Sequence, residues 1–189
     1  AYSLIVEPKT IFYIQYAKGR LHLPSEDLEA EMYDVLMKEM EHAGLKQYEI
    51  SNFAKPGFES IHNKIYWDND EYIGFGAGAH GYVAGQRYSN HGPIKKYMEA
   101  IEAGGLPIVH NHTVTQQERI EEQMFLGLRK VEGVPHSVFE QKFGETILSR
   151  YRTIVERNVA AGLLESDDKG IRLTRKGRFL GNEVFQQFL

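Results

Sequence analysis

The chain has 189 residues, of which 42% are hydrophobic, and its 22 Lys and Arg against 26 Asp and Glu give a formal net charge of −4. This length allows one medium domain, or part of one followed by a small domain, and a mildly acidic chain lacks the broad basic field of a nucleic-acid binder. The sequence contains no cysteine, which excludes disulfides and any zinc or iron–sulfur site held by cysteines of this chain. No apolar run approaches the roughly 20 residues of a membrane helix, and no signal peptide is visible. We therefore expect a cytoplasmic protein without an integral membrane segment.

The first fifty residues follow a strand–helix–strand pattern. The apolar run at 2–6 predicts a buried strand of a parallel sheet. Ser25 predicts the N-cap of a long helix that Gly44 ends, and residues 45–50 predict the next strand. One such unit is too short for a complete barrel, so we interpret it as the tail of one and expect the chain to be a piece of a longer protein.

The middle of the chain, residues 48–82, is rich in aromatics and interrupted by Gly, Pro and Asn, and it holds the only Trp. This mixture predicts an irregular segment that packs aromatic rings and places polar side chains at the wall of a pocket. A polar loop at 87–93, a short helix at 93–103 and an extended segment at 106–114 follow.

The texture changes from Thr115, which forms a predicted capping box with Glu118 at the start of a helix. A short helix after Pro135, a helix at 145–161, a hairpin turning at 167–170 and a closing helix complete a winged-helix-like pattern. We place a domain boundary near residue 112, which gives domains at 1–112 and 113–189. The predicted fold class is α/β, or α+β overall.

The segment HNKIYW, His62–Trp67, is the first candidate site. Imidazole is a good axial ligand for haem iron, and flanking aromatic rings form a face for a flat macrocycle. On residue types alone, an aromatic corner with a satisfied structural histidine is the more common outcome.

Glycines at every second position of GFGAGAH, residues 74–80, would let a backbone approach a ligand closely, although the spacing alone strongly favours a tight crossing of strand and turn. The spacing matches neither a dinucleotide nor a phosphate loop. Glu49 ends a predicted strand, where ligand sites of parallel sheets lie, and a structural carboxylate is the alternative. His110 and His112 share a face if their segment is a strand, and solvent exposure is the simplest interpretation.

A winged helix also raises the hypothesis of a nucleic-acid-binding module. Residues 145–189 carry eight Lys and Arg against six Asp and Glu, a surplus of two. Phosphate contacts usually need a clustered basic face, so we expect no nucleic-acid partner.

Several blocks in order, namely YEISNFAKPG, HNKIYW, GFGAGAH, FLGLRKVEGV and IRLTRKGRFLGNEVFQQFL, resemble the oxygen-independent coproporphyrinogen III oxidase-like family and, within it, the haem chaperone branch. Members are radical S-adenosylmethionine proteins with a four-iron four-sulfur cluster on a three-cysteine motif, which this chain lacks. The resemblance therefore implies the C-terminal part of such a protein: the tail of a partial radical S-adenosylmethionine barrel followed by the winged-helix-like domain.

The resemblance also implies roles for individual residues. Residues of HNKIYW would bind haem, with His62 as the iron ligand and no other metal site. The glycine segment and the end of the predicted strand at 45–50 would line the S-adenosylmethionine cavity. The first set is His62, Asn63, Tyr66 and Trp67; the second is Glu49, Gly76, Gly78 and His80.

Two activities of the longer protein follow from the resemblance. A chaperone would bind haem and pass it to respiratory haemoproteins, whereas an oxidase would use the cluster and S-adenosylmethionine to decarboxylate the propionates of porphyrinogen oxidatively. HNKIYW favours the chaperone. In either case we predict that this cysteine-free chain alone catalyses nothing.

Overall fold

A computed structural model describes residues 2–189, and the chain divides into two compact units, Ala1–Glu59 and Ser60–Leu189. In the first unit the predicted N-cap is confirmed, because Ser25 Oγ accepts a hydrogen bond from the backbone N–H of Leu28 at 3.3 Å. Acidic side chains in the first turn favour the same start through the helix dipole. The elements of this unit are α1 (Ile11–Ala17), α2 (Glu26–His42), β1 (Lys46–Glu49) and β2 (Asn52–Ala54).

The predicted parallel arrangement of this unit is wrong for the residues described. Residues 2–6 are extended, but no strand among 2–189 pairs with them. β1 pairs instead with β2, in antiparallel register with Lys46 opposite Ala54. The predicted parallel partner of β1 is the segment at 2–6, which pairs with no strand of the described chain, and β2 follows β1 after two residues, a connection that forms a hairpin and is too short for a parallel crossover.

The second unit opens with helix α3 (Ile61–Trp67) and an antiparallel sheet of three strands, β3 (His80–Val83), β4 (Gln86–Asn90) and β5 (Ile108–Thr113), in that spatial order. The turn between β3 and β4 is Ala84–Gly85, with φ of 50° and 72°, and two left-handed residues are typical of a tight hairpin turn. Irregular structure is present at 68–79, whereas the expectation of it elsewhere in 48–82 is wrong where α3 and β3 form, and the polar loop expected at 87–93 is mostly β4. Helix α4 (Ile94–Glu102) connects β4 and β5.

The rest of the second unit has winged-helix topology: three helices and a small antiparallel sheet, in which β8 (Gly170–Leu173) lies between β6 (Val134–Pro135) and β7 (Leu164–Ser166), are followed by two short closing helices and a 3₁₀ turn. The predicted capping box is confirmed, since Thr115 and Glu118 bond each other's backbone N–H groups. The elements are α5 (Gln116–Gly127), β6 (Val134–Pro135), α6 (His136–Phe143), α7 (Ile147–Ala160), β7 (Leu164–Ser166), β8 (Gly170–Leu173), α8 (Arg175–Phe179), α9 (Gly181–Phe185) and a 3₁₀ turn, Gln186–Phe188.

The core of this unit lies between these helices and the small sheet. Its side chains with no exposed surface are Ile120, Met124, Leu128, Val134, Phe139, Ile147, Ile171 and Val184. The proposed domain boundary near 112 falls inside the second compact unit and stays a prediction. Of the helices among residues 2–189, none combines the length and apolarity needed to cross a bilayer.

Candidate functional site

Helix α3 presents a row of aromatic rings. Residues four apart share one face of a helix, and the His62 and Tyr66 rings meet edge to face with centroids 4.6 Å apart. Tyr66 meets Tyr72 in the same way at 4.4 Å. Ser60 starts the helix by accepting a hydrogen bond from the backbone N–H of Asn63 at 3.3 Å. The local sequence thus fixes the orientation of the ring row.

The imidazole of His62 is open to solvent. Within residues 2–189, no side chain or backbone group makes a hydrogen bond with its ring nitrogens, and its one ring contact is with Tyr66. A satisfied structural histidine would need such hydrogen bonds. The geometry therefore leaves the imidazole free to meet a ligand from outside the chain.

Trp67 lies on a neighbouring face of α3 and is half-buried. The guanidinium of Arg129 lies over its ring at 4.9 Å from the centroid, a cation–π contact that stabilises the pair. Its indole Nε1 is buried and finds no acceptor among the described residues. Trp67 therefore holds α3 against helix α5 and the residues after it, while His62 and Tyr66 form the open face.

The glycine segment is a tight crossing. A Cβ on Gly74 would lie 2.0 Å from the backbone oxygen of His80, so only glycine fits there. Gly76 and Gly78 have φ of 101° and 71°, which glycine adopts without strain. Asn90 Nδ2 donates to the Gly76 carbonyl at 2.9 Å. The close contact at Gly74 and the φ angles of Gly76 and Gly78 give these glycines a structural role. Apart from its chain neighbours, no described residue has an atom within 4 Å of a Cβ placed on Gly76, so a ligand can approach its backbone.

Histidines gather on one face of the β3-β4-β5 sheet. His80 pairs with Ser89, Ser89 pairs with His110, and Arg87 pairs with His112. The predicted shared face of His110 and His112 is thus present, and both are exposed. A cleft of about 420 Å³ follows this face and is lined by His80, Arg87, Tyr88, Ser89, His110, Asn111 and His112.

A second, smaller pocket of about 210 Å³ lies at the end of α3. Burial raises the pKa of the Tyr72 hydroxyl in its wall, and the positive charge of Arg87 opposes that rise. The Tyr72 phenol therefore stays protonated at neutral pH and can donate a hydrogen bond. The pocket is lined by Tyr66, Trp67, Asn69, Asp70, Tyr72, Arg87 and Leu126.

Glu49 lies at the end of β1 in the first unit, where it is 1% exposed. Its Oε1 accepts a hydrogen bond from the backbone N–H of Ser51 at 3.2 Å. Gly76, Gly78 and His80 belong to the second unit. The grouping of these four residues in one S-adenosylmethionine cavity stays a prediction.

A set of charged contacts after α3 has no counterpart in the sequence analysis. Lys130 is 5% exposed and forms ion pairs with Asp68 and, at 3.2 Å, with Glu132. Lys142 bonds the Asp70 carboxylate at 2.7 Å and the Asp68 carbonyl. We call these contacts of Asp68 and Asp70 with Lys130 and Lys142 the lysine clamp. The paired residues lie 62 to 74 positions apart, so no local pattern could reveal them.

Among residues 2–189, no cluster of three or more His, Asp or Glu side chains has the geometry of a metal site. With no cysteine in the sequence, the donors present do not fit an iron–sulfur cluster.

Comparison with known proteins identifies relatives along the whole chain. Residues 114–180 match the family model of the HemN C-terminal domain. The chain is 51% identical to the protein named "Heme chaperone HemW" of Bacillus subtilis, over all of this chain and 50% of that protein, and 45% identical to the protein of that name in Lactococcus lactis, over 49% of its length. A mouse protein named "Radical S-adenosyl methionine domain-containing protein 1, mitochondrial" is 33% identical to this chain. The alignment covers 93% of this chain and 42% of the mouse protein.

A solved structure shares the fold. Coproporphyrinogen III oxidase (HemN) from Escherichia coli, described as a radical SAM enzyme, aligns with a TM-score of 0.68 over 93% of this chain and 45% of its own, at 18% identity. Together with the HemN C-terminal domain match, this likeness confirms the predicted fold class. The chain spans about half the length of the curated relatives that it matches.

Proposed function

The chain belongs to the oxygen-independent coproporphyrinogen III oxidase-like family, in its haem chaperone (HemW) branch, and from this premise we propose that helix α3 binds haem. His62 supplies the iron ligand, and Tyr66 with Asn63 and Trp67 shapes and supports the binding face. The observation that carries the proposal is the exposed imidazole of His62, whose nitrogens are free of hydrogen bonds within residues 2–189. In the longer protein this site serves haem delivery to respiratory haemoproteins, a role that we place in the cytoplasm.

The shape of the site fits a ligand that lies on a surface. Pockets that enclose small molecules usually measure about 300–1,000 Å³, and the pocket of about 210 Å³ beside Tyr66 is smaller than that. A flat macrocycle instead stacks on an open aromatic face and takes one axial imidazole. Weak enclosure also suits a chaperone, because cargo held on an open surface can be passed on.

Radical chemistry is not assigned to this chain. An iron–sulfur cluster would supply the electron that cleaves S-adenosylmethionine, and the sequence has no cysteine to hold it. We propose that both groups belong to the longer protein, with Glu49, Gly76, Gly78 and His80 at the S-adenosylmethionine cavity. Incubation of the 189-residue chain with S-adenosylmethionine and a reductant should yield no cleavage product.

The alternative function is oxidation of coproporphyrinogen III, favoured by the likeness of fold to HemN. An identity of 18% shows fold alone, and enzymes of one fold differ in their sites. The exposed imidazole of His62 favours haem as the ligand over porphyrinogen, since only haem offers iron to it.

Nucleic-acid binding by the winged helix is a further candidate. In the wing hairpin, Arg172 bonds the carboxylates of Glu165 at 2.7 Å and Asp167 at 2.8 Å, and a guanidinium so neutralised contributes little to phosphate contacts. A salt titration with duplex DNA distinguishes this candidate, which requires a steep loss of affinity as salt rises.

Haem titration followed in the Soret region tests the haem proposal. His62→Ala should remove the ligand-dependent Soret shift and weaken haem binding at least about tenfold, because even losing a residue that only orients a metal ligand costs about 10–100-fold in affinity. His42→Ala, an exposed helical histidine of the first unit, is the matched control and should leave the spectrum unchanged. Identical spectra for His62→Ala and the unaltered chain would refute haem ligation by α3.

A further inference from the structure

We propose that Arg87 anchors a propionate carboxylate of the haem bound at α3, and so sets which face and edge of the macrocycle the protein recognises. This inference rests on the proposed function and adds to it a recognition residue outside the HNKIYW segment. Haem carries two propionate arms at one edge, so a surface site that holds only the iron would leave the ring free to rotate about the axial bond.

Arg87 lines two concave regions of the second unit. It lines the small pocket formed with Tyr66 and Trp67, and it also lines the cleft along the histidine face of the sheet. Among the residues described, no other side chain lines both. A ligand that covers Tyr66 and extends from α3 towards the sheet therefore passes over this guanidinium.

The guanidinium is held in place but only partly engaged. Its Nη2 donates to Glu122 Oε2 at 2.7 Å and to Asn69 Oδ1 at 3.2 Å, and it lies 4.7 Å from the centroid of the Tyr82 ring. No acceptor within residues 2–189 engages Nη1, and the side chain is 32% exposed. An arginine fixed on one side with free N–H donors on the other is preorganised for a carboxylate.

Charges around the pocket do not repel an incoming carboxylate. Glu122 neutralises part of the Arg87 charge, but it binds through Nη2 alone. The carboxylate among the lining residues, Asp70, is paired with Lys142 at 2.7 Å. Tyr72 lines the same pocket and carries a hydroxyl donor. The wall thus offers N–H and O–H donors without an unpaired negative charge.

The competing explanation is that Arg87 is purely structural, fastening β4 to Asn69 and Glu122. Haem dimethyl ester distinguishes the two, because its esterified propionates cannot form a charged bond while its iron and ring are unchanged. A residue that contacts the propionate affects haem more than the ester, whereas a structural residue affects both ligands equally.

The test is a four-way comparison of dissociation constants by Soret titration: the unaltered 189-residue chain and Arg87→Gln, each with haem and with haem dimethyl ester. We expect Arg87→Gln to weaken haem binding about tenfold, since a hydrogen bond to a charged group is worth one such factor or more. Binding of the ester should change less than about twofold. Equal losses for both ligands would overturn the proposal.

Two further variants keep the result interpretable. Arg87→Gln with Glu122→Gln removes both members of the ion pair, so the partly buried carboxylate of Glu122 is not left without a partner, and it should show the same selective loss of haem binding relative to the ester. Arg152→Gln removes an exposed arginine of α7 that pairs with Glu156 and should change neither constant. His62→Ala abolishes the Soret shift with either ligand if the haem site is correct, so failure of the Arg87 proposal is separable from failure of the site.

Discussion

Residues 60–113 and 114–189 form one compact unit yet are built in opposite ways. The second segment has a continuous core in which side chains such as Ile120 and Phe139 have no exposed surface. In the first segment, Tyr82 is the one large apolar side chain that is fully enclosed, while Phe75 is 86% exposed. The segment that carries the candidate site therefore has little core of its own.

The difference shows how the site obtains its rigidity. α3 has no buried residue, and helices this short are marginal by themselves. It is held by contacts with the second segment: the Arg129 guanidinium over Trp67 and the lysine clamp on Asp68 and Asp70. The winged-helix segment thus acts as the support on which an exposed recognition helix is mounted.

The largest effect should come from opening the core of the support. Phe139→Ala removes a fully buried ring, and such changes cost about 3–5 kcal/mol of unfolding free energy. Because residues 60–113 depend on this core, far-ultraviolet circular dichroism and Trp67 fluorescence should report one shared loss of stability in denaturant. Phe75→Ala, which alters an exposed ring, should stay within about 0.5 kcal/mol. Separate transitions for the two probes would contradict the dependence.

The lysine clamp should give the next effect. Lys130→Met leaves the carboxylate of Asp68 without its nearly buried partner, and removing one member of a fully buried ion pair costs about 3–5 kcal/mol. Asp68 is 32% exposed, so solvent screening lowers our expectation to about 1–2 kcal/mol. Hydrogen exchange should accelerate in α3 more than in α7, because the clamp acts on the end of α3.

The matched control for the clamp is Lys95→Met on α4. Lys95 is 87% exposed and pairs with Glu99 at 3.9 Å across one helical turn, a contact worth about 0.5 kcal/mol or less. Equal destabilisation by the two Lys→Met changes would show that charge removal, rather than the clamp, is responsible.

Elements with local signals were predictable from the sequence. The capping box of Thr115 and Glu118 marks the start of α5, and Ser25 marks that of α2. The turn at 167–170 marks the wing hairpin. Each of these features is formed by hydrogen bonds between residues close in sequence, so the residue types at those positions reveal it. The tight turn at Ala84–Gly85 was a similar signal for the β3–β4 hairpin, obscured by the polar side chains of the two strands.

What the sequence could not reveal depends on partners distant along the chain. Residues 2–6 have the composition of a strand, but a strand requires a neighbour, and none among 2–189 pairs with them. The exposure of His62 and the engagement of Arg87 likewise follow from tertiary contacts. HNKIYW is recognisable as a candidate from its residues, whereas the lysine clamp joins positions more than 60 apart, so no local pattern of residues marks it.

The smallest effect should come from the ion pair of Asp167 with Arg172, which lies in the exposed wing hairpin of the winged-helix segment. Bonds from the Arg172 guanidinium, and then from the backbone N–H of Lys169, lower the pKa of Asp167 from 3.8 to about 2. A pKa lowered by folding means that the ionised carboxylate stabilises the wing above pH 3.8, and that this contribution is lost as pH falls through about 2. A carbon-13 titration of the Asp167 carboxyl should therefore have its midpoint near 2, and Arg172→Gln should move that midpoint towards 3.8.

The same carboxylate should contribute to stability in a pH-dependent way. Asp167→Asn should lower the melting temperature slightly at pH 6 and not at pH 2. The control is Asp168→Asn, which should have no effect at either pH because Asp168 makes no hydrogen bond in the described chain. A midpoint near 3.8 in the unaltered chain would mean that backbone pairing alone holds the wing. The rigidity that distinguishes residues 114–189 from residues 60–113 would then be confined to the buried core.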